Sequence, residues 1–232
     1  RIKGFYLAVA TLAAQFFLIW LFNKVGWFYN YSATGMITSP SRSIGSFFIT
    51  GSESTPAAKY LFCFLIVFLL AWIARNLTRG KIGRSWMAIR DMDIAAEIIG
   101  VNPLIAKLSA FAVSSFYVGV AGALFFSVYL GAVEPTEAFS IQKSFIVLFM
   151  VIIGGLGSIF GSFAGAAFMV LLPVALKNLL VLQFGWSVDI AAHFEFIIIG
   201  GLIIFFLIVE PHGLAQLWNL LKQKLRIWPF PY

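Results

Sequence analysis

Long apolar runs separated by short polar segments set the pattern of this chain. Residues 5 to 22 (FYLAVATLAAQFFLIWLF), 57 to 74, 104 to 130, 141 to 155, 159 to 182 and 194 to 209 are almost free of charge. A helix that crosses a bilayer needs about 20 mostly apolar residues, somewhat fewer where snorkelling side chains extend it. The pattern therefore predicts an all-α fold, a polytopic transmembrane helix bundle of about six spans, as a single domain over 1–232. The fourth run, IQKSFIVLFMVIIGG, is short for its task, since 15 residues rise only about 22 Å against a hydrocarbon core of about 30 Å. Its end is expected to lie within the membrane. The glycine-rich GGLGSIFGSFAG follows at once, and irregular backbone at that depth is tolerated only where protein or a water-filled cavity surrounds it.

Between the second and third runs lies GRSWMAIRDMDIAAEIIGVN, residues 83 to 102, which is polar and helix-prone. Ala88, Met92, Ala95, Ala96 and Ile99 follow steps of three and four, which predicts one small apolar stripe on a helix over 84–100. Arg90, Asp93 and Glu97 share a second face, where Arg90 and Asp93 are expected to pair. Gly100 suits the left-handed position that ends a helix, and Asn102-Pro103 suits an N-cap and first-turn proline for the next span. Periodicity alone leaves open an interfacial helix resting on headgroups. Composition argues for docking on another protein instead: interfacial helices favour bulky apolar and basic polar faces, whereas this polar face is also acidic and its stripe holds three alanines.

Composition fits the same picture. Hydrophobic residues make up 61% of the chain and charged residues 11%, with a mean hydropathy of +0.97, whereas soluble domains carry about 25% charged residues. The 26 Phe and 7 Trp suit lipid-facing surfaces and interface belts. Net charge is +7, with 16 Lys plus Arg against 9 Asp plus Glu, and the positions of the positives matter more than their sum; nucleic-acid binding is not indicated. Residues 75 to 107 hold Arg75, Arg79, Lys81, Arg84, Arg90 and Lys107, while 131 to 140 hold no Lys or Arg. The basic loop is thus expected to be cytoplasmic. Parity then places Arg1 and Lys3 inside, 23–56, 131–140 and 183–193 outside, and the tail 210–232 with Lys222, Lys224 and Arg226 inside. Cys63 sits in the run YLFCFLIVFLL, where a buried, inert thiol is expected. The chain opens on Arg1 with no cleavage site after its first apolar run, so no signal peptide is read and a start inside a longer protein is expected.

AIRDMDIAAEIIGVN resembles the cytoplasmic motif of the branched-chain amino-acid (Liv-type) ABC transporter permeases, in which an Ala-x-Arg, Ala-Ala-Glu and Gly pattern marks the helix that contacts the ATPase subunit. RIKGFYLAVATL, VIIGGLGSIFGSFAGAA and VEPHGLAQLW are similar to further stretches of that family, so the resemblance reaches from residue 1 to about 218. It is closest to the Liv M-type subunit. The resemblance implies that the family's first few transmembrane helices precede this chain. It also implies a bacterial inner-membrane assembly of two related permeases, two cytoplasmic ATPases that bind ATP and Mg, and a soluble substrate-binding protein. Ala88, Arg90, Asp93, Ala95, Ala96, Glu97 and Gly100 would then form the ATPase-coupling surface. The solute implied is a branched-chain or other amino acid, although related permeases carry urea or short amides. After Thr11-Leu12 the chain departs from the family pattern, with AAQFFLIWLF and NYSATGMITSP in place of an acidic residue and a glycine-rich outer segment.

Other candidates are sparse. Gly157, Gly161 and Gly165 recur every fourth residue and predict a small-residue groove for helix packing, chiefly at Gly161 and Gly165. The Gly154-Gly155-Leu156-Gly157-Ser158 turn exposes backbone groups suited to lining a translocation pathway. Thr11 and Gln15, one turn apart in the first run, suit either an interhelical hydrogen bond or substrate contact. Ser109, Ser114 and Ser115 can bond back to their own helix. His193, His212, Asp189, Glu195, Glu134 and Glu137 sit near membrane faces and form no catalytic or metal-binding spacing. No ionisable residue lies near the middle of a predicted span, which argues against proton coupling. The chain lacks GxxxxGK[ST], so no P-loop hydrolysis and no cofactor of its own is expected, and energy would enter through a partner. A stand-alone sodium-coupled or facilitative transporter would show an inverted repeat, and a membrane enzyme would gather polar residues at one depth; neither pattern is present.

Overall fold

The computed structural model describes residues 5–29, 31, 35–45, 47–51, 54–209 and 213–227. Expectations for Arg1, Lys3 and His212 lie outside the described residues. Helices dominate, and five of them among the described residues are long and apolar enough to cross a membrane: Pro56–Arg79, Pro103–Leu130, Pro135–Gly154, Ile159–Gln183 and Val188–Ile208. The first predicted span is also helical, α1 (Phe5–Lys24), with a shorter apolar part from Val9 to Lys24. The chain divides into two compact units, Arg1–Phe139 and Ser140–Tyr232.

In the first unit, α2 (Pro56–Arg79) begins at Thr55, whose side chain accepts the Ala58 N–H, with Pro56 in the first turn. None of its residues is buried; Tyr60, Leu61, Phe64, Leu65, Phe68 and Trp72 are all more than half exposed. So broad an apolar surface requires lipid or protein around it. Cys63 is accordingly half-buried rather than enclosed. α5 (Pro103–Leu124) runs on through a wide π-helical turn, Phe125–Leu130, that ends at Gly131 with φ +72°. Between the two helices, the Tyr117 hydroxyl donates to the Leu70 carbonyl at 2.9 Å.

The segment expected as an irregular outer loop contains short pieces of sheet. β1 (Ile37–Thr38) pairs antiparallel with β4 (Ala132–Val133), Ile37 opposite Val133, and the Ser39 N–H donates to Gly131 O at 2.7 Å. β2 (Ser43–Ile44) and β3 (Phe47–Phe48) make a small hairpin. Thr50, only 3% exposed, closes this cap by donating to Pro40 O at 2.9 Å and accepting the Arg42 N–H at 2.8 Å. A short α6 (Pro135–Ala138) follows.

The second unit is built on α7 (Ile141–Gly154) and α8 (Ile159–Lys177), which approach backbone to backbone. A Cβ at Gly154 or Gly161 would strike the other's carbonyl oxygen, and one at Gly165 would strike the Met150 carbonyl. Only glycine allows that approach. The groove differs from expectation at one end: Gly157 lies in the exposed turn before α8, with φ +82°, so the seam is Gly154 with Gly161 and Gly165. α8 continues through a second wide turn, Asn178–Gln183. α9 (Val188–Val209) begins six residues before the apolar run predicted from 194, carrying Asp189 in its first turn. Ile153, Met169, Ile203 and Phe206 form this unit's core, with Leu214 packed against it.

The tail is not free chain. α10 (Gly213–Ile227) folds onto the second unit, where Gly213 has φ +67° and a Cβ there would lie 2.5 Å from Ile153 O and 2.6 Å from the Gly155 nitrogen.

Candidate functional site

The segment 84–100 is one helix by periodicity and two in the structure. α3 (Lys81–Asp91) stops at Met92, whose backbone is extended (φ −149°, ψ 87°), and α4 (Asp93–Ile98) restarts beyond it. Two aspartates flank the break. The Asp93 carboxylate accepts the Ile94 N–H at 2.9 Å, a local bond that competes with continued helix. Asp91 turns to Arg90, which donates to it at 2.8 Å, so Arg90 pairs with its neighbour and not with Asp93 as expected. That hydrogen bond holds the Asp91 carboxyl below its ordinary value and raises Arg90 above its own. Both side chains stand in solvent, so the pair is screened and contributes little.

The break divides the expected stripe. Ala96 is buried at 2% exposure against Ile89 and Ala106, with Trp86, half-buried Ala88 and Val101 around them. Met92, Ala95 and Ile99 instead face outward. The outward surface gathers Met92, Ile94, Ile98 and Ile99, each above 70% exposed, beside the exposed Arg90, Asp93 and Glu97. Ile94 and Ile98 escaped the sequence reading because they lie off the stripe; their own spacing of four was the available signal.

Anchoring of this surface is thorough. Gly83, buried at the corner between α2 and α3, leaves no room for a Cβ, which would sit 2.5 Å from Leu77 O and Thr78 Cα. Trp86 donates through Nε1 to Ser109 Oγ at 2.9 Å, and Ser109 in turn donates to Ala106 O. α4 ends as the sequence suggests: Gly100 has φ +92°, its N–H reaches Glu97 O, and the Val101 N–H reaches Ala96 O, both at 3.0 Å. This paired bonding satisfies carbonyls left open at a helix end and places Val101 back on the core. Asn102 then accepts the Leu104 and Ile105 N–H groups at 3.0 and 3.3 Å, with Pro103 opening α5. An open groove of about 390 Å³ lies between α3 and α5, lined by Ile82, Ser85, Val101, Asn102, Ile105, Ala106 and Ser109.

The residues expected along a translocation pathway fall in both units, Thr11 and Gln15 in the first and Gly154 to Ser158 in the second. Gln15 donates to Phe139 O at 3.2 Å, tying α1 to α6, while Thr11 is exposed. Gly154 and Gly155 are buried, the first in the α7–α8 seam and the second against Gly213. Ser158 spends its hydroxyl on the N-cap of α8, accepting the Gly161 N–H at 3.0 Å. Gly213, which sequence reasoning did not single out, is the third partner of this turn. Asp189, His193 and Glu195 all sit in the first two turns of α9, and among the described residues no three metal-binding side chains converge.

Residues 1–207 match the family model for the branched-chain amino acid transport system permease component. The chain belongs to that permease family. Two curated relatives are permease proteins named LivM of high-affinity branched-chain amino acid transport systems. The Salmonella typhimurium (strain LT2) protein is 29% identical over 237 residues, covering 94% of this chain and 52% of the relative. The Escherichia coli (strain K12) protein is 27% identical with the same coverage. This permease thus spans about half the length of the curated relatives it matches. No solved structure matches it. Family membership and five apolar spans make it a multi-pass membrane protein of a transport family, rather than one of enzymes. The match to the family model stops before α10.

Proposed function

We propose that this permease is part of an ATP-driven ABC importer that carries amino acids, branched-chain ones first, across the bacterial inner membrane. The relatives' names support the solute and the family supports the assembly: a second related permease, two cytoplasmic ATPases that hold ATP and Mg, and a soluble binding protein. Both ends of the chain and the basic 75–107 segment lie in the cytoplasm on this reading, following the distribution of Lys and Arg.

The observation that carries the coupling role is the outward surface of α4. Four large apolar side chains stand exposed beside Arg90, Asp93 and Glu97, on a base fixed by Ala96, Ala106 and the Trp86–Ser109 bond. An apolar patch rimmed by charges of both signs suits a protein partner, and a rigid base lets a push on α4 reach α3 and α5. Closure of the ATPase pair around ATP would move this segment, and the spans joined to it would switch access between the membrane faces. Ala88 and Ala96 act in this scheme by positioning, and Met92, Ile94, Ile98 and Glu97 by contact.

Reconstitution of the assembly tests this. Glu97→Arg and Gly100→Trp are expected to leave membrane insertion intact and to abolish substrate-stimulated ATP hydrolysis; full stimulation in both variants would refute docking at this surface. Uptake of labelled leucine against urea by the same proteoliposomes tests the solute.

A further inference from the structure

α10 is 15 residues long, a rise of about 22 Å against a hydrocarbon core of about 30 Å, and it carries Lys222, Lys224 and Arg226. Its first turns are held by protein: Gly213 against the Ile153–Gly155 backbone, Leu214 on the core, Ala215 beside Gly161, and Trp218 stacked on Phe160 at 5.3 Å between centroids. These contacts fall at the end of α7 and the start of α8, where the spanning helices terminate. The helix therefore leaves the protein at the level where α7 ends and α8 begins.

Beyond Trp218 the same face continues with its leucines exposed. At about 100° per residue, Leu214, Leu217, Trp218, Leu221 and Leu225 fall within one arc of about 100°. Leu217, Leu221 and Leu225 are 43%, 47% and 65% exposed. Lys222 and Lys224 fall about 90° and 70° to either side of the arc's centre, and Arg226 further round, whereas Gln216, Asn219 and Gln223 lie opposite. Lys222 lays its ammonium 5.5 Å from the Trp218 ring centre. No Asp or Glu occurs between 213 and 227.

We propose that α10 lies in the membrane interface and binds anionic phospholipid, with Leu217, Leu221 and Leu225 among the acyl chains and Lys222, Lys224 and Arg226 on the headgroup phosphates. Cations flanking a leucine stripe match a surface of negative headgroups over hydrocarbon. A tryptophan at the point of entry matches the aromatic belt. The lipid contact is independent of which energy source drives transport.

The test uses the full chain in nanodiscs, in a Cys63→Ser background, with a nitroxide attached in turn at Leu221→Cys, Leu225→Cys, Asn219→Cys and Gln223→Cys. In phosphatidylcholine discs doped with phosphatidylglycerol, oxygen is expected to outcompete a water-soluble nickel chelate in relaxing the label at 221 and 225, with the reverse at 219 and 223. Omitting phosphatidylglycerol, or adding Lys222→Glu with Lys224→Glu and Arg226→Glu, is expected to make the label at 225 several-fold more accessible to nickel. Equal nickel access at 225 and 223 would overturn the proposal, as would depth indifferent to phosphatidylglycerol. Shielding of 221 and 225 from both reagents would also overturn it, since a second protein copy would then cover the stripe.

Discussion

The α3–α4 segment and α10 each hang an exposed apolar edge on an anchor of small residues. In the first unit the anchor is Ala96 on Ala106 and the edge is Met92, Ile94, Ile98 and Ile99. In the second the anchor is Gly213 and Ala215 against Gly155 and Gly161, and the edge is Leu217, Leu221 and Leu225. What separates them is charge. Arg90, Asp91, Asp93 and Glu97 surround the first edge with both signs, whereas only cations flank the second. An amphipathic pattern therefore says that a face is covered, and the charges beside it say by what: mixed signs suit a protein with its own fixed charges, and a purely basic border suits a lipid surface.

The comparison breaks first at its anchors. Gly213→Val places a branched side chain on the Ile153–Gly155 backbone at φ +67°. Overpacking costs about 1–3 kcal/mol and the left-handed backbone about 1–2 more, so thermal unfolding in detergent should show the largest loss of this series. Ala96→Leu should cost about 1–3 kcal/mol by crowding Ile89 and Ala106. Its counterpart Ile98→Ser, at a side chain 81% exposed, should stay within about 0.5 kcal/mol of the parent in the same assay while lowering stimulated ATP hydrolysis in the reconstituted assembly. Equal destabilisation by the two would erase the distinction between anchor and edge. Asn102→Ala removes the cap that accepts the Leu104 and Ile105 N–H groups and should cost about 1 kcal/mol.

The smallest effect concerns the Arg90–Asp91 pair. Because the folded carboxyl titrates below its unfolded value, the pair's contribution is present above the unfolded carboxylate range and lost as pH falls through the depressed folded value. Both groups are exposed, so Asp91→Asn should shift the melting temperature barely at neutral pH, and the difference should vanish once pH falls below the depressed folded value. A large shift at neutral pH would mean that the pair does more than bridge neighbouring residues.

Features set by local chemistry were legible before the structure. The spans follow from lengths of apolar run, and the ends of α4 and the start of α5 follow from Gly100 and Asn102-Pro103, whose roles depend on their own backbone and immediate neighbours. Features that depend on residues distant in sequence were not legible. The pairing of Ile37 with Val133 joins two-residue strands too short to leave an alternating pattern, and Gly213 becomes irreplaceable only because the Ile153–Gly155 turn passes over it. The break at Met92 lies between these cases. The periodicity of apolar residues runs through it undisturbed, yet Asp93 offers its carboxylate to the Ile94 N–H, a local bond that competes with continued helix.

Solvent labelling at the two edges separates their partners most directly. In a Cys63→Ser background, Ile98→Cys and Leu225→Cys are each reacted with a membrane-impermeant maleimide in nanodiscs, with and without the ATPase subunits. Ile98→Cys should label readily in the permease alone and several-fold more slowly once the ATPase is bound, whereas Leu225→Cys should label slowly in both. Undiminished labelling at Ile98→Cys in the complete assembly would contradict the assignment of α4 as the surface that receives the ATPase.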